Sequence, residues 1–289
     1  QIRQYTRLNI EDKITDSKLE AKKNVSWSAI TLSCSLVFFF FIKGYTYKEF
    51  IPKPSINPHI MRSFKEIKKI VPENSALLTW WDFGYVLTEQ TNLFVFHDGG
   101  SQFSPKTHFI ASSFVSPDQN YLFKTTKFLS TQGNSGINYH RISKDRLLKA
   151  MDSSPYNTFN PIYLLFTYDM VSKYGAFSSL GNWDIGTGTQ KKAQGYRRLN
   201  CNRMQGKTLF CGQYVINLEK GLINNRIPIK RQVQVLLGKV IMEKNYPHPS
   251  NLTFQVLMDS RKRSYEFHLI DEPVYQSNFN QMYILGRYN

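Results

Sequence analysis

Residues 75–85 read Ser-Ala-Leu-Leu-Thr-Trp-Trp-Asp-Phe-Gly-Tyr, a short apolar run followed by two tryptophans, an aspartate and a glycine. The apolar run predicts a buried strand, and Asp82-Phe83-Gly84 predicts the turn that leaves it. Neighbouring strand residues point to opposite faces, so only one of Trp80 and Trp81 is expected in an ordinary core. The other tryptophan needs a different reason to be there.

The same segment carries side chains that together suit a hydroxyl group. Each indole N–H is only a donor, and an ionised carboxylate is only an acceptor. Trp80, Trp81 and Asp82 together match one hydroxyl, which accepts from an indole and donates to a carboxylate. Two ordinary interpretations stay open: the tryptophan pair is core packing, or Asp82 caps the following turn.

Composition narrows the class of protein. The chain has 289 residues, 41% of them hydrophobic and 15% aromatic, which excludes disorder, collagen and coiled coil. The three cysteines lack Cys-x-x-Cys spacing and are too few for a structural zinc site made of thiolates. The 37 basic and 21 acidic residues give a net charge of +16, which suits nucleic acid, anionic lipid or phosphate-bearing substrates without choosing among them.

The N-terminal region predicts a membrane helix. Residues 25–42 contain no charged side chain, and 18 residues of helix span roughly 27 Å. The alternative is a buried core helix, although a soluble helix normally keeps a polar stripe. The chain begins at Gln1 without a signal-peptide pattern, so we expect it to be a piece of a longer protein.

Downstream, a strand is expected over residues 93–96, another over 162–166 and a helix over 168–180. His97-Asp98-Gly99-Gly100 is typical of a turn whose glycines permit positive φ, with Asp98 as a turn residue. Alternating segments from Gly195 onward predict a small antiparallel β module.

The predicted fold class is α+β, with one N-terminal transmembrane helix before a mixed α/β domain and a small antiparallel β module; the family resemblance given below implies that this domain is extracytoplasmic. The expected organisation is a cytoplasmic-side segment or loop at 1–24, a transmembrane helix at 25–42, a linker at 43–57, a mixed α/β domain with the Trp-Trp-Asp motif at 58–194, and a β-rich module with a C-terminal helix at 195–289. Cys201 and Cys211 flank a stretch that a hairpin would close, so they are disulfide candidates outside the cytoplasm. Two free buried cysteines are the alternative.

Trp80-Trp81-Asp82-Phe83-Gly84 resembles the signature of the catalytic subunits of oligosaccharyltransferases, most closely the bacterial single-subunit enzymes. Further stretches agree in order and spacing: Asp98-Gly99-Gly100, Ile162-Tyr163-Leu164, His268-Leu-Ile-Asp271 and Gln281-Met-Tyr-Ile-Leu-Gly-Arg-Tyr288. The resemblance implies the C-terminal, acceptor-recognising part of an enzyme that glycosylates Asn in Asn-x-Ser/Thr sequons. Trp80, Trp81 and Asp82 would then bind the hydroxyl of the sequon Ser or Thr.

The family carries a second element, Met-x-x-Ile or Asp-x-x-Lys, on a nearby helix. Here the aligned positions are Met170 and Lys173, a hybrid that departs from both patterns. The resemblance places both residues at the sequon hydroxyl. We expect Lys173 to orient Asp82 and to alter the preference for Thr over Ser, with a solvated surface lysine as the alternative.

The resemblance also implies what lies elsewhere in the full protein. Family members hold a divalent metal, Mn or Mg, on carboxylates of an upstream membrane region that binds the polyprenyl-linked oligosaccharide. We expect neither catalytic residues nor metal ligands in this chain. The partners implied are acceptor sequons, the lipid-linked donor and the membrane, with no nucleic acid, because Arg197-Arg198 and Arg261-Lys262-Arg263 lack interleaved aromatic residues. A membrane-anchored surface module that binds glycans or peptides is the alternative function.

Overall fold

The computed structural model describes residues 27, 29–42, 56–140, 144–153, 161–190, 192–259 and 264–288. The chain divides into two compact units, Gln1–Met61 and Arg62–Asn289. The predicted segment 1–24, residues 25, 26 and 28 of the predicted span, and residues 43–55 of the predicted linker lie outside the described residues.

In the first unit, residues 29–42 form helix α1, and its large apolar side chains are exposed, with Phe41 at 77%. These residues are the greater part of the predicted span 25–42. Within the described ranges, no helix is both long enough and apolar enough to cross a membrane.

The helices that follow have amphipathic or buried sequences and short connections. Their bounds are α2 (Pro58–Ile70), α3 (Gly84–Thr91), α4 (Lys106–Val115), α5 (Gln119–Thr131), α6 (Gly133–His140), α7 (Lys144–Ser153), α8 (Met170–Gly181) and α9 (Glu272–Gln276). Helix α5 begins where Asp118 accepts a hydrogen bond from the Asn120 backbone N–H at 2.8 Å. Phe279–Ile284 forms a π-helix near the C-terminus.

A small parallel sheet positions the Trp-Trp-Asp motif. Strand β1 (Ala76–Leu78) lies between β2 (Phe94–Val95) and β3 (Ile162–Leu164) and runs parallel to both. The carboxyl ends of parallel strands share one edge, which is where open α/β sheets bind ligands. The loops that leave these three strands therefore meet at one edge of the sheet.

The strand-rich region contains two larger sheets and a short hairpin. One sheet has the order β11-β10-β9-β8-β7, the other β13-β12-β14-β15-β6, and β4 pairs with β5. Pairing is antiparallel in both larger sheets except that β12 runs parallel to β14, a pair that the expected antiparallel module did not include. The strands are β4 (Trp183–Asp184), β5 (Thr189–Gln190), β6 (Arg197–Leu199), β7 (Cys201–Gln205), β8 (Thr208–Cys211), β9 (Tyr214–Asn217), β10 (Leu222–Ile223), β11 (Ile227–Pro228), β12 (Arg231–Leu236), β13 (Lys239–Asn245), β14 (Leu252–Asp259) and β15 (Ser264–Asp271).

The sheet that contains β14 is covered on both faces. Val233 and Val235 contribute to a core shared with α4, α5 and α8, whereas Phe254 and Val256 contribute to a second core with the other large sheet. Side chains alternate along a strand, so one sheet serves both cores. Strands β7 and β8 are antiparallel, and their paired residues Cys201 and Cys211 form a disulfide.

Candidate functional site

The two tryptophans of the motif occupy different environments. Trp80 is extended, 3% exposed, and packs against His97 and Phe177 at ring-centroid distances of 5.3 and 5.5 Å. Trp81 opens a 3-10 turn, Trp81–Phe83, and is half-buried at the border of the same core. No described residue accepts a hydrogen bond from either indole N–H. Trp80 thus anchors the motif, and Trp81 faces its surface.

Glycine at position 84 allows the motif to approach the loop after β2. A Cβ on Gly84 would lie 2.5 Å from the carbonyl oxygen of His97 and from the Cα of Asp98. Similarly, a Cβ on Gly100 would lie 2.5 Å from the Tyr85 hydroxyl. Gly99 and Gly100 do not adopt the positive φ that glycine permits, and their missing side chains make room for the Tyr85 ring. Asp98 is a turn residue, since its Oδ1 accepts from the Ser101 backbone N–H at 2.9 Å.

The carboxylate of Asp82 faces the first turns of α8. Its Oδ1 lies 3.0 Å from Lys173 Nζ, which also contacts Asp169 Oδ2 at 2.6 Å. Asp82 does not cap α3, because Phe83 is the N-cap residue and no side-chain hydrogen bond caps it. The second oxygen, Asp82 Oδ2, is buried and has no hydrogen-bond partner among the described residues. The Asp82 side chain as a whole is 22% exposed, so a ligand that displaced little protein could reach it.

The charges around this carboxylate follow from the contacts. Partial burial lowers the pKa of Lys173, but its hydrogen bonds and its attraction to Asp169 and Asp82 outweigh burial and raise that pKa. The ammonium also lies 5.4 Å from the centroid of the Phe83 ring. Below the motif, burial and then the charge of Lys106 lower the pKa of His97 to about 4, so this histidine is neutral at pH 7.

Residues 73–187 match the model of the STT3/PglB/AglB core domain. Two curated relatives are both named dolichyl-phosphooligosaccharide-protein glycotransferase. The protein from Methanocaldococcus jannaschii is 27% identical across 42% of this chain, and that from Methanococcus voltae is 22% identical across 47%. Over this part of the chain, the sequence is similar to the catalytic subunits of oligosaccharyltransferases.

The matches cover 14% and 19% of the length of these two glycotransferases, so the chain spans less than a fifth of either. A solved structure, the C-terminal domain of C. jejuni PglB, shares the fold, with a TM-score of 0.57 and 17% identity. That similarity covers 79% of this chain and 92% of the solved one. In this chain it therefore extends beyond residue 187, where the match to the core-domain model ends. The mixed α/β fold with antiparallel sheets is therefore the fold of that PglB C-terminal domain.

The five predicted site residues separate into a buried and a reachable group. Trp80 and Met170 are 3% and 1% exposed and belong to the core. Trp81, Asp82 and Lys173 are partly exposed, and Asp82 and Lys173 are in direct contact. The stretch that matches the STT3/PglB/AglB core domain contains both groups.

Sequence reasoning missed Asp169 as a part of this site. Its carboxylate lies four residues before Lys173 in the helical direction, and acid–base pairs at this spacing are neighbours on a helix. The spacing of four residues between Asp169 and Lys173 is the sequence feature that indicates their contact. The family pattern gives no role to position 169, so the resemblance by itself does not point to this carboxylate.

Metal binding was expected outside this chain. Across the described ranges, no group of three or more His, Cys, Asp or Glu side chains could hold a metal ion. Two carboxylates of this site, those of Asp82 and Asp169, are bridged by the Lys173 ammonium. A divalent cation there would have to replace a positive charge that the protein itself supplies, so these residues do not fit a metal site.

Proposed function

We propose that this chain is the C-terminal, acceptor-recognising part of an oligosaccharyltransferase. The full protein would transfer an oligosaccharide from a polyprenyl pyrophosphate carrier to the Asn of Asn-x-Ser/Thr sequons. The observation that carries the proposal is Asp82 Oδ2, a buried acceptor that lacks a described partner and lies beside a half-exposed tryptophan. An unpaired buried acceptor costs about 1–3 kcal/mol, which a ligand hydroxyl would recover.

The donor and acceptor groups of this site suit a Ser or Thr hydroxyl. Such a hydroxyl donates to Asp82 Oδ2 and accepts from an indole N–H, most readily from Trp81 because Trp80 is 3% exposed. Lys173 occupies Asp82 Oδ1 and places a positive charge beside the carboxylate. A peptide without the hydroxyl leaves the acceptor unpaired, so the site selects for sequons rather than for Asn alone.

The second element differs in role between its two residues. Met170 is buried under the site and supports it by packing. Lys173 directs its ammonium to two carboxylates, so only its aliphatic stem remains for a threonine methyl. We therefore infer that the discrimination between Thr and Ser is weaker here than with a branched apolar residue at position 173.

The full protein would also have a membrane region, to which this chain contributes one helix. Residues 25–42 would be the last membrane-spanning helix, supported by the exposed apolar side chains of residues 29–42. The following domain would be extracytoplasmic, a compartment compatible with the Cys201–Cys211 disulfide. The lipid-linked donor and a divalent metal, Mn or Mg, would bind to the membrane region outside this chain.

Transfer by the full-length membrane protein tests the proposal. Fluorescent peptides with Asn-x-Thr or with Asn-x-Val, which differ by one hydroxyl, would be glycosylated with lipid-linked donor. We expect Asp82→Asn and Trp81→Phe to lower transfer to Asn-x-Thr, by about 100-fold for Asp82→Asn. Asp118→Asn, which keeps an N-cap residue on α5, and Trp183→Phe, which alters another partly exposed tryptophan, serve as matched controls.

The result can also favour the alternative function. Wild-type transfer by Asp82→Asn would refute sequon recognition by this carboxylate. Selective peptide binding without any transfer, even with donor and metal present, would instead support a membrane-anchored module that binds peptides.

A further inference from the structure

Asp169 stands at the N-cap position of α8 but does not cap it. Aspartate is a favoured N-cap residue because its carboxylate accepts from the backbone N–H groups of the first turn. Here the backbone of Asp169 is in the helical region (φ −62°, ψ −21°), and its side chain makes no capping hydrogen bond. The carboxylate instead accepts from Lys173 Nζ at 2.6 Å. The Asp169 carboxylate thus binds the lysine and does not cap the helix.

Lys173 lies between two carboxylates that compete for it. An ammonium has three N–H donors, enough to contact both oxygens of a single carboxylate. In this chain it contacts one oxygen of Asp82 and one of Asp169, and the other oxygen of each, Asp82 Oδ2 and Asp169 Oδ1, has no described partner. The attraction between Asp169 and the ammonium therefore keeps the ammonium at Asp82 Oδ1 and away from Asp82 Oδ2.

We propose that Asp169 is a positioning residue for acceptor binding: it holds Lys173 on Asp82 Oδ1 and so keeps Asp82 Oδ2 available to the sequon hydroxyl. This inference rests on the proposed function. Without the Asp169 charge, the ammonium would move toward Asp82 and compete with the hydroxyl for Oδ2. Asp169 would then act on acceptor affinity through Lys173, without touching the acceptor.

The partial burial of the cluster makes the effect measurable. The side chains of Asp82, Lys173 and Asp169 are 22%, 34% and 27% exposed, so solvent screens them less than a surface pair. By contrast, Glu66 and Lys69 form an ion pair of similar length, 2.7 Å, with side chains 63% and 67% exposed. That pair in α2 is a matched control for removing a carboxylate from a helical ion pair.

Steady-state kinetics of the full-length membrane protein test the proposal. We expect Asp169→Asn to raise KM for an Asn-x-Thr peptide about tenfold with kcat within twofold, because one charge-assisted contact is lost from binding. Asp169→Glu, which keeps the charge, should restore most of the affinity. Glu66→Gln should leave KM unchanged, and thermal unfolding of each variant would show whether its fold is intact.

A double-mutant cycle separates positioning from a structural role. If Asp169 acts through Lys173, Asp169→Asn should have little further effect on KM once Lys173→Met has removed the ammonium. Additive effects, or a lower unfolding temperature with unchanged KM, would overturn the proposal. If Asp169→Asn does not fold, Asp169→Ser takes its place, because serine is also a favoured N-cap residue and lacks the charge: a positioning role predicts a raised KM, and a structural role predicts an unchanged KM.

The failure of this inference differs from the failure of the proposed function. If Asp82→Asn abolishes the preference for Asn-x-Thr over Asn-x-Val while Asp169→Asn changes nothing, only the positioning role is wrong. If Asp82→Asn keeps that preference, sequon recognition by this site is wrong, and the positioning role fails with it.

Discussion

The carboxyl edge of the small parallel sheet, which carries Asp82 and is called the site edge here, can be compared with strand β14. Both bury polar atoms that lack a described partner, but only the site edge admits a ligand. At the site edge, these atoms are Asp82 Oδ2 and Asp169 Oδ1, on side chains that are about a quarter exposed. In β14 they are Thr253 Oγ1 and both amide atoms of Gln255, on residues with 0% exposure. Both places therefore carry a desolvation cost, and only the first can recover it by binding.

The difference comes from how each element is covered. Strand β14 lies inside a sheet with a core on each face, so its polar side chains are enclosed whichever way they point. The Trp-Trp-Asp turn lies at the carboxyl edge of a small parallel sheet, where loops rather than layers meet. An unpaired buried atom is thus evidence for a binding site only together with access, and each test below examines that distinction.

Acid is expected to have the largest effect on the free energy of unfolding. It should act equally through a histidine near the site edge and a histidine in β15, the strand paired with β14. Burial is the main reason that the pKa of His97 near the site and of His268 in β15 is about 4 in each case. The unfolded chain has histidines with a pKa near 6.5. Between pH 6.5 and 4 the unfolded state binds more protons, so the free energy of unfolding should fall by about 3 kcal/mol per histidine, or about 6 kcal/mol together.

Chemical denaturation of the purified chain from pH 7.5 to pH 4 measures this loss. His97→Gln and His268→Gln should each remove about half of the pH dependence, whereas the partly exposed His248→Gln should not. Tryptophan fluorescence should report His97, because its ring contacts Trp80. An unchanged acid dependence in both variants would show that other groups control it.

A methyl group at Gly84 should destabilise the site edge, whereas a methyl group elsewhere in the same core should not. Gly84→Ala places Cβ 2.5 Å from the backbone of the loop after β2, and backbone cannot rotate away as a side chain does. We expect a loss of about 2–3 kcal/mol in unfolding free energy and reduced transfer to Asn-x-Thr peptides. Gly175→Ala in α8, where the nearest atom would be 4.0 Å away, should be neutral or stabilising by about 0.5–1 kcal/mol. Equal stability of the two variants would mean that the loop yields easily.

The sequence revealed the site edge better than the sheets. The end of β1, strand β3 and helix α8 all follow from local apolar runs and their turn residues, as does the split between Trp80 and Trp81. The ion pair between Lys173 and Asp82 agrees with the expectation that this lysine faces an acid near the motif, although its effect on sequon choice stays a prediction.

Long-range pairing could not be read in the same way. The parallel alignment of β12 with β14 joins residues about twenty positions apart, and nothing local in either strand specifies it. Helix α4 was also missed, because its sequence has buried residues on most sides and so lacks the polar stripe that marks a surface helix. Tertiary burial, rather than local preference, decides both elements.

Removing the unpaired hydroxyl in β14 should stabilise the chain. Thr253→Val keeps the shape of the side chain and deletes a buried atom without a described partner, so we expect a gain of about 1–2 kcal/mol in unfolding free energy and unchanged transfer. Thr126→Val is the matched control, because the Thr126 hydroxyl donates to the Leu122 carbonyl at 2.8 Å and its loss should not stabilise. Lower transfer by Thr253→Val would show that β14 contributes to the site after all.

Lys173→Ile should have the smallest effect, a change in the ratio of transfer to Thr and Ser sequons. A branched apolar side chain beside the hydroxyl residue would contact the threonine methyl, and one such methyl contact is worth about 0.8 kcal/mol. We therefore expect the Thr-to-Ser ratio of kcat/KM to rise about fourfold, while transfer to both peptides falls because Asp82 loses its ammonium partner.

The ratio, rather than the overall rate, separates the apolar contact from the lost ion pair. Asp169→Asn disturbs the same lysine without adding an apolar side chain, so it should lower transfer to both peptides and leave their ratio unchanged. If Lys173→Ile also left the ratio unchanged, the aliphatic stem of Lys173 would already supply the methyl contact. The reachable part of the site would then consist of Trp81 and Asp82, and Lys173 would act only through the carboxylate that it holds.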